Sequence, residues 1–160
     1  MAINRGKAFE KLIHEQLNQL SGVDVTRLYD TTNGYANIKN PCDFIVYKRP
    51  NMFKLEAKST TGASFSISRL TQLEKLLEAK HNGCRAGMLL WFIDKKVTFW
   101  VEADYIQEAV EQGKKSLSVN DLRGTYDPRV ILIPGVYVRI YGVYDFKVLV
   151  DNDIQFFYDK

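Results

Sequence analysis

Residues 40–59 read NPCDFIVYKRPNMFKLEAKS, and this stretch decides the fold. Two apolar runs, residues 44–47 and 52–58, are rich in the β-branched and aromatic side chains that favour strands. Between them, Pro50 and Asn51 are residues that favour a turn. The pattern therefore predicts a β-hairpin whose strands are apolar enough to lie inside a sheet.

Three charged residues of this stretch, Asp43, Glu56 and Lys58, are candidates for chemistry. Side chains alternate between the faces of a strand, so Glu56 and Lys58 share one face while Leu55 and Ala57 lie on the other. Pairing of the two strands brings Asp43, which opens the first strand, close to Glu56. Charges on a core-like strand need partners, because burying an unpaired charge is costly.

This trio predicts phosphodiester hydrolysis. Two carboxylates at one place repel each other unless they share a proton or a cation, and their oxygen atoms suit Mg²⁺ or Mn²⁺. A lysine beside such an ion can hold or help deprotonate a water and offset charge that develops on a phosphate. A Glu-x-Lys pair taken alone is more often a solvated strand face.

Helical periodicity flanks the hairpin on both sides. Apolar residues recur at helical spacing in the segment before the hairpin and in the segment after it, and further strands and a third helix follow. The order favours a mixed α/β, or α+β, fold in a single domain over residues 1–160. The predicted elements are a helix at 5–20, a strand at 25–30, the hairpin, a helix at 69–80 capped by Ser68 or Thr71 and stopped by Asn82 and Gly83, strands at 86–94 and 97–103, a helix at 104–113 and a strand-rich tail from residue 130.

Composition narrows the class of protein. The chain has 160 residues, enough for one ordinary core, and 22 basic against 19 acidic residues give a net charge of +3, which permits a polyanionic partner without requiring one. Cys42 and Cys84 fit neither a disulfide framework nor a zinc site. No leader and no apolar run of membrane-spanning length is present, so we expect a cytoplasmic protein without membrane contact.

The order of these motifs resembles the PD-(D/E)xK nuclease superfamily. Glu10 lies on the first helix, Pro-Cys-Asp occupies 41–43 and Glu-Ala-Lys occupies 56–58. Within the superfamily the chain is most similar to RecU-type Holliday junction resolvases. That likeness runs through NRGKAFEKLI at 4–13, FKLEAKSTTGASFSISRLTQLEKL at 53–76 and GKKSLSVNDL at 113–122. It implies a restriction-endonuclease-like core, a central mixed β-sheet flanked by helices.

The resemblance also implies roles for individual residues. Asp43 and Glu56 match the principal metal ligands, and the Ala57 carbonyl matches a third. Lys58 would position the attacking water or stabilise the transition state. Glu10 would complete the metal site directly or through water, and Gln72 matches a glutamine on the helix after the catalytic strand. The implied cofactor is Mg²⁺, with Mn²⁺ as a substitute, and no organic cofactor is expected.

The expected partner is DNA. Basic residues around the hairpin and on both flanking helices form a candidate phosphate-binding surface. By resemblance, Thr60, Thr61 and Phe65 border the site and contact the DNA backbone. Tyr35 is a candidate for stacking at an opened junction, although a tyrosine in such a loop more often packs against the loop itself. The basic residues of this surface are Arg5, Lys7, Lys11, Lys39, Lys48, Arg49, Arg69 and Lys75.

Three functions remain open at this point. The first is a structure-selective endonuclease that makes paired nicks in a four-way junction as a homodimer, with an interface sought in residues 113–117 and 136–150. The second is a nuclease that acts on linear or otherwise branched duplex DNA. The third is a DNA-binding protein without catalysis. The short segment before Asp43 implies a reduced stalk, which favours a bacteriophage protein acting in a bacterial cell.

Overall fold

The computed structural model describes residues 4–29 and 39–151. Within these ranges, no helix is long and apolar enough to cross a membrane. The helices are α1 (Arg5–Asn18), α2 (Leu73–His81), α3 (Ala103–Glu111), α4 (Val119–Gly124) and α5 (Lys147–Val150). The strands are β1 (Val23–Arg27), β2 (Phe44–Lys48), β3 (Asn51–Thr60), β4 (Ser64–Ser66), β5 (Arg85–Phe92), β6 (Val97–Glu102), β7 (Ser116–Ser118), β8 (Val130–Ile133), β9 (Gly135–Val138) and β10 (Tyr141–Tyr144).

Six strands form a mixed sheet in the order β1-β2-β3-β5-β6-β8. Strands β3 and β5 are parallel, and every other neighbouring pair in this sheet is antiparallel. Parallel neighbours need a crossover, which here contains α2. The predicted hairpin is confirmed as β2 and β3, and the predicted central mixed sheet flanked by helices is confirmed as well.

Helices cover both faces of this sheet. On one face, α1 buries Phe9, Ile13 and Leu17 against a core that includes Phe53 and Leu55 of β3. On the other face, α2 and α3 pack against alternate residues of β5 and β6. Strands β5 and β6 are therefore buried on both sides, which explains their uninterrupted apolar sequences.

Packing overrides two of the predicted boundaries. Ser68 and Thr71 do not cap α2, which begins at Leu73 with Gln72 in the cap position. Residues Ile67–Arg69 form a separate 3₁₀ turn, because Ile67 and Leu70 are buried in the core on the α2 face. The predicted stop is confirmed, since Gly83 follows α2 with a φ of 94°.

Two further boundaries shift. The first strand begins at Val23 and ends at Arg27, rather than covering residues 25–30. The strand-rich tail contains β8, β9 and β10 but closes with the short helix α5. In α5, Leu149 and Val150 are buried in the core that α1 also covers, so tertiary contact stabilises a helix in a β-prone sequence.

The centre of the sheet tolerates no side chain at Gly87. A Cβ atom there would lie against the Val101 carbonyl oxygen and 2.9 Å from the Glu102 Cα, and both are backbone atoms of β6. We expect Gly87→Ala to lower the free energy of unfolding by about 2 kcal/mol or more. Gly124→Ala is the control, because nothing lies within 4 Å of its added Cβ. Urea unfolding of both variants gives the measurement, and equal stabilities would contradict the packing described here.

Candidate active site

Hydrogen bonds attach Asp43, the residue before β2, to strand β3. Its backbone N–H donates to the Leu55 carbonyl at 3.1 Å, which extends the β2–β3 pairing by one residue. Its Oδ2 atom then accepts the Ala57 N–H at 2.8 Å. A side chain thus replaces the missing strand as the partner of β3 and holds the Asp43 carboxylate beside Glu56.

Glu56 and Lys58 lie together on one face of β3, as their spacing predicts. Register pairs Glu56 with Met88 and Lys58 with Leu90, both of which belong to the core on the α2 face. Lys58 Nζ is 3.1 Å from Glu56 Oε1. The Glu56 side chain is 2% exposed and that of Lys58 is 22% exposed, so the acid is enclosed while the lysine reaches solvent.

The Glu56 carboxylate is only half satisfied. Within the described residues, its Oε2 atom is buried and has no hydrogen-bond partner. Burial and, to a smaller extent, the charge of Asp43 raise the pKa of Glu56, and Lys58 partly offsets both effects, which leaves the pKa at about 7. An enclosed carboxyl with an open acceptor beside a second carboxylate is a place that favours a proton or a cation.

The Ala57 carbonyl lies on the same side of β3 as the Asp43 carboxylate. The N–H and C=O of a strand residue point toward the same neighbouring strand, and the Ala57 N–H points toward Asp43. Strand β2 has no residue paired with Ala57. The Ala57 carbonyl therefore faces the side of β3 on which Asp43 stands, which agrees with its predicted role as a third oxygen ligand.

These oxygens fit a hard divalent cation. Among residues 4–29 and 39–151, no group of three His, Cys, Asp or Glu side chains is placed to hold a metal by itself. Two carboxylates and a carbonyl remain, and Mg²⁺ is commonly held by one or two carboxylates together with waters and substrate phosphates. The unpartnered Glu56 oxygen is the observation that fits such an ion.

Two other predicted residues have different partners. Glu10 Oε2 accepts from the Arg27 guanidinium at 3.0 Å, and its charge raises the Glu56 pKa less than that of Asp43 does. Gln72 stands in the cap position of α2 and accepts a hydrogen bond from the Thr71 hydroxyl at 3.2 Å. Direct participation of Glu10 and Gln72 in the site stays a prediction.

The predicted DNA-binding residues separate into two clefts. Arg5, Thr60, Thr61 and Arg69 line one of them, with Ser59 and Ile93. Lys39 and Lys75 line the other, together with Lys54, which shares the face of Glu56 and Lys58. The sequence interpretation did not include Lys54 or Ser59, although two-residue periodicity along β3 was a signal for Lys54.

Six predicted contacts remain outside these clefts. Lys48 Nζ lies 3.4 Å from Asp151, and Arg49 is exposed in the turn between β2 and β3. Phe65 is fully buried, so it cannot contact the DNA backbone as predicted, and its ring instead lies beneath Arg69. Lys11 is 3.8 Å from Glu15 on α1, and Lys7 is exposed at the start of the same helix. Tyr35 lies outside the described residues.

The raised pKa of Glu56 predicts a pH dependence of stability in the metal-free protein. Its pKa lies at about 7 when folded and near the ordinary 4.5 when unfolded, so the folded state binds more protons in between. The free energy of unfolding should therefore fall as pH rises from 4.5 to 7, by roughly 3 kcal/mol.

Urea unfolding in chelator at several pH values measures this dependence. Glu56→Gln should flatten the fall, whereas Glu15→Gln, an exposed carboxylate on α1, should leave it as in the wild type. A wild-type curve that rises over this interval, or one that Glu56→Gln leaves unchanged, would contradict the assignment.

The chain is similar to a known protein family and to a solved structure. Residues 11–128 match the family model described as recombination protein U, RecU. No individual curated protein matches the chain. Among solved structures, a 1.6 Å structure of Hjc from Archaeoglobus fulgidus, a Holliday junction resolvase from an archaeal hyperthermophile, matches with 16% identity and a TM-score of 0.43, covering 74% of this chain and 100% of that chain. Because the family model covers well over half of its length, this chain belongs to the RecU family.

Proposed function

We propose that this RecU-family protein is a metal-dependent endonuclease that resolves four-way DNA junctions by hydrolysing phosphodiester bonds at Asp43, Glu56 and Lys58. The observation that carries the proposal is the buried, unpartnered Oε2 atom of Glu56 beside the Asp43 carboxylate. Family membership supports the substrate class. The metal and the assignment of residues rest on the chemistry of the site.

Asp43, Glu56 and the Ala57 carbonyl are the groups that would hold the ion. When bound, Mg²⁺ would supply charge stabilisation at a phosphate oxygen and lower the pKa of a bound water. The hydrogen bond from the Ala57 N–H to Oδ2 keeps the Asp43 carboxylate in place beside Glu56. Enclosure of Glu56 on the α2 face excludes bulk water from its carboxylate.

Lys58 supplies a positive charge beside the two carboxylates. It is partly exposed, while its 3.1 Å contact with Glu56 fixes the position of the ammonium group. An ammonium carries three N–H donors, so two remain for a phosphate oxygen or the attacking water. Lys58 therefore stabilises negative charge that develops on the phosphate in the transition state.

Paired incision calls for two active sites, and the β9–β10 hairpin offers a surface for a second copy. Val136, Val138 and Val143 lie on one face of this hairpin and are 73%, 66% and 60% exposed. The opposite face is held against the molecule, where Gln16 of α1 accepts the Tyr144 N–H at 2.7 Å. An apolar strand face on a rigid support is typical of a homodimer contact, and two-fold symmetry matches the symmetry of a junction.

A cytoplasmic site of action in a bacterial or phage-infected cell fits this function and belongs to the same proposal. Four-way junctions arise where DNA is recombined, so a resolving nuclease acts where the DNA lies.

Asp43→Asn, Glu56→Gln and Lys58→Met should each slow junction cleavage by about a thousandfold or more, because each removes a charge at the reacting phosphate. Asp24→Asn, an exposed carboxylate on β1, should leave the rate unchanged. The rates are measured on labelled four-way junction and matched linear duplex, with Mg²⁺ and with chelator.

Junction binding should survive in the three carboxylate variants, because losing a carboxylate weakens repulsion of DNA. In Lys58→Met, which loses one positive charge, binding should weaken only slightly. Equal cutting of linear duplex would reassign the protein to a general nuclease. Binding without cutting of any substrate would reject the catalytic function.

Val138→Asp should convert a dimer to a monomer, because the charge would be buried at the contact. Tyr126→Ser is the control, since Tyr126 is fully exposed and lies outside the hairpin. Sedimentation velocity gives the oligomeric state. On a plasmid that extrudes a cruciform, the wild type should give linear product and Val138→Asp should give nicked circles. A wild-type monomer that still linearises the plasmid would contradict the dimer.

A further inference from the structure

A cleft of about 360 Å³ opens at the C-terminal end of β3. Its walls include Ser59, Thr60 and Thr61, which follow Lys58 directly along the chain, and Arg5 and Arg69 from neighbouring segments. A strand rises about 3.3 Å per residue, so Thr60 stands roughly 7 Å beyond Lys58. The cleft is therefore a neighbour of the catalytic trio but is not part of it.

Arg69 is held in one orientation within this cleft. Its Nη2 atom donates to the Ser59 carbonyl at 2.9 Å, and its guanidinium lies 5.0 Å from the centroid of the Phe65 ring. Phe65 is fully buried, so the surface beneath the guanidinium is fixed. Among the described residues, this bond occupies one of the five N–H donors of Arg69, which leaves the others for a ligand.

The cleft carries positive charge without a matching carboxylate. Within residues 4–29 and 39–151, the arginine ion pairs involve Arg27, Arg85 and Arg129 but neither Arg5 nor Arg69. Thr61 adds a hydroxyl to the same wall. Two guanidinium groups without an ion pair among the described residues, together with the Thr61 hydroxyl, favour binding of an anion. The planar fork of arginine matches the oxygens of a phosphate.

We propose that Arg69, with Arg5 and Thr61, binds a backbone phosphate of the cleaved strand next to the scissile phosphate. The inference rests on the proposed nuclease function and adds a determinant of where the strand is cut. Arg69 is a positioning residue: it holds one phosphate so that the next one reaches Asp43 and Glu56. Contacts of this kind fix register on DNA without reading its sequence.

The first test measures binding of a four-way junction by full-length protein in chelator over a range of salt concentrations. Arg69→Ala should weaken binding about tenfold and reduce the salt slope by about one counterion. Arg69→Lys should keep the slope, since the charge remains, but lose part of the affinity with the fork. Arg123→Ala, which removes an exposed arginine of α4 outside the predicted DNA-binding surface, is the matched control.

The second test maps the nicks in Mg²⁺. Arg69→Ala should spread incision over neighbouring phosphodiesters and raise KM more than it lowers kcat, whereas Arg123→Ala should cut where the wild type cuts. Thermal melts confirm that each variant is folded. A changed salt slope with unchanged cut positions would reject the positioning role, and an Arg69→Ala variant equal to the wild type in both tests would reject the phosphate site.

Failure of the proposed function is separable from failure of this inference. A wild-type protein that binds the junction with an Arg69-dependent salt slope but cuts no substrate would overturn the nuclease and keep the phosphate site. A wild-type protein that cuts the junction with no dependence on Arg69 would keep the nuclease function and overturn the phosphate site.

Discussion

The hydrogen bond between the Asp43 carboxylate and the Ala57 N–H is the contact on which the rest of the site depends. A strand inside a sheet must satisfy its backbone donors on both sides. Strand β3 outruns its partner β2, which pairs with it only as far as Leu55. A side chain supplies the next acceptor, and the one that does so is a carboxylate. The same bond therefore completes the β-sheet and places a negative charge beside Glu56.

That placement has an electrostatic cost that the fold does not relieve. Glu56 is buried beside Asp43, and Lys58 offsets only part of the repulsion, so the Glu56 pKa stays at about 7. Elsewhere the chain shows that it can neutralise a buried acid. Glu102 is equally buried, but Lys80 and Arg85 both pair with it. Glu102 therefore belongs to a structural ion cluster, whereas Glu56 belongs to the site that we propose holds a cation.

The charges along β3 also suit a polyanion such as DNA. Lysines line a cleft beside the earlier part of the strand, and arginines line a cleft beyond its end. The acidic pair lies between these two basic regions, on a strand whose opposite face is sealed by α1. A DNA backbone that follows β3 would meet positive charge before and after the carboxylates, which is how a nuclease of small net charge can bind its substrate.

The sequence alone was enough to predict the hairpin and the strand face that Glu56 and Lys58 share. The apolar alternation of residues 44–47 and 52–58 requires a hairpin, and a period of two places Glu56 and Lys58 on one face whatever the remainder of the chain does. Tertiary structure decided the rest. Helix α2 starts at Leu73 because Ile67 and Leu70 are drawn into the core, which no local capping signal reveals. Phe65 matches the family segment but is buried, and Arg69 above it is the exposed group. Burial, ion pairing and cleft formation depend on residues far apart in the chain, and for that reason only the fold assigns them.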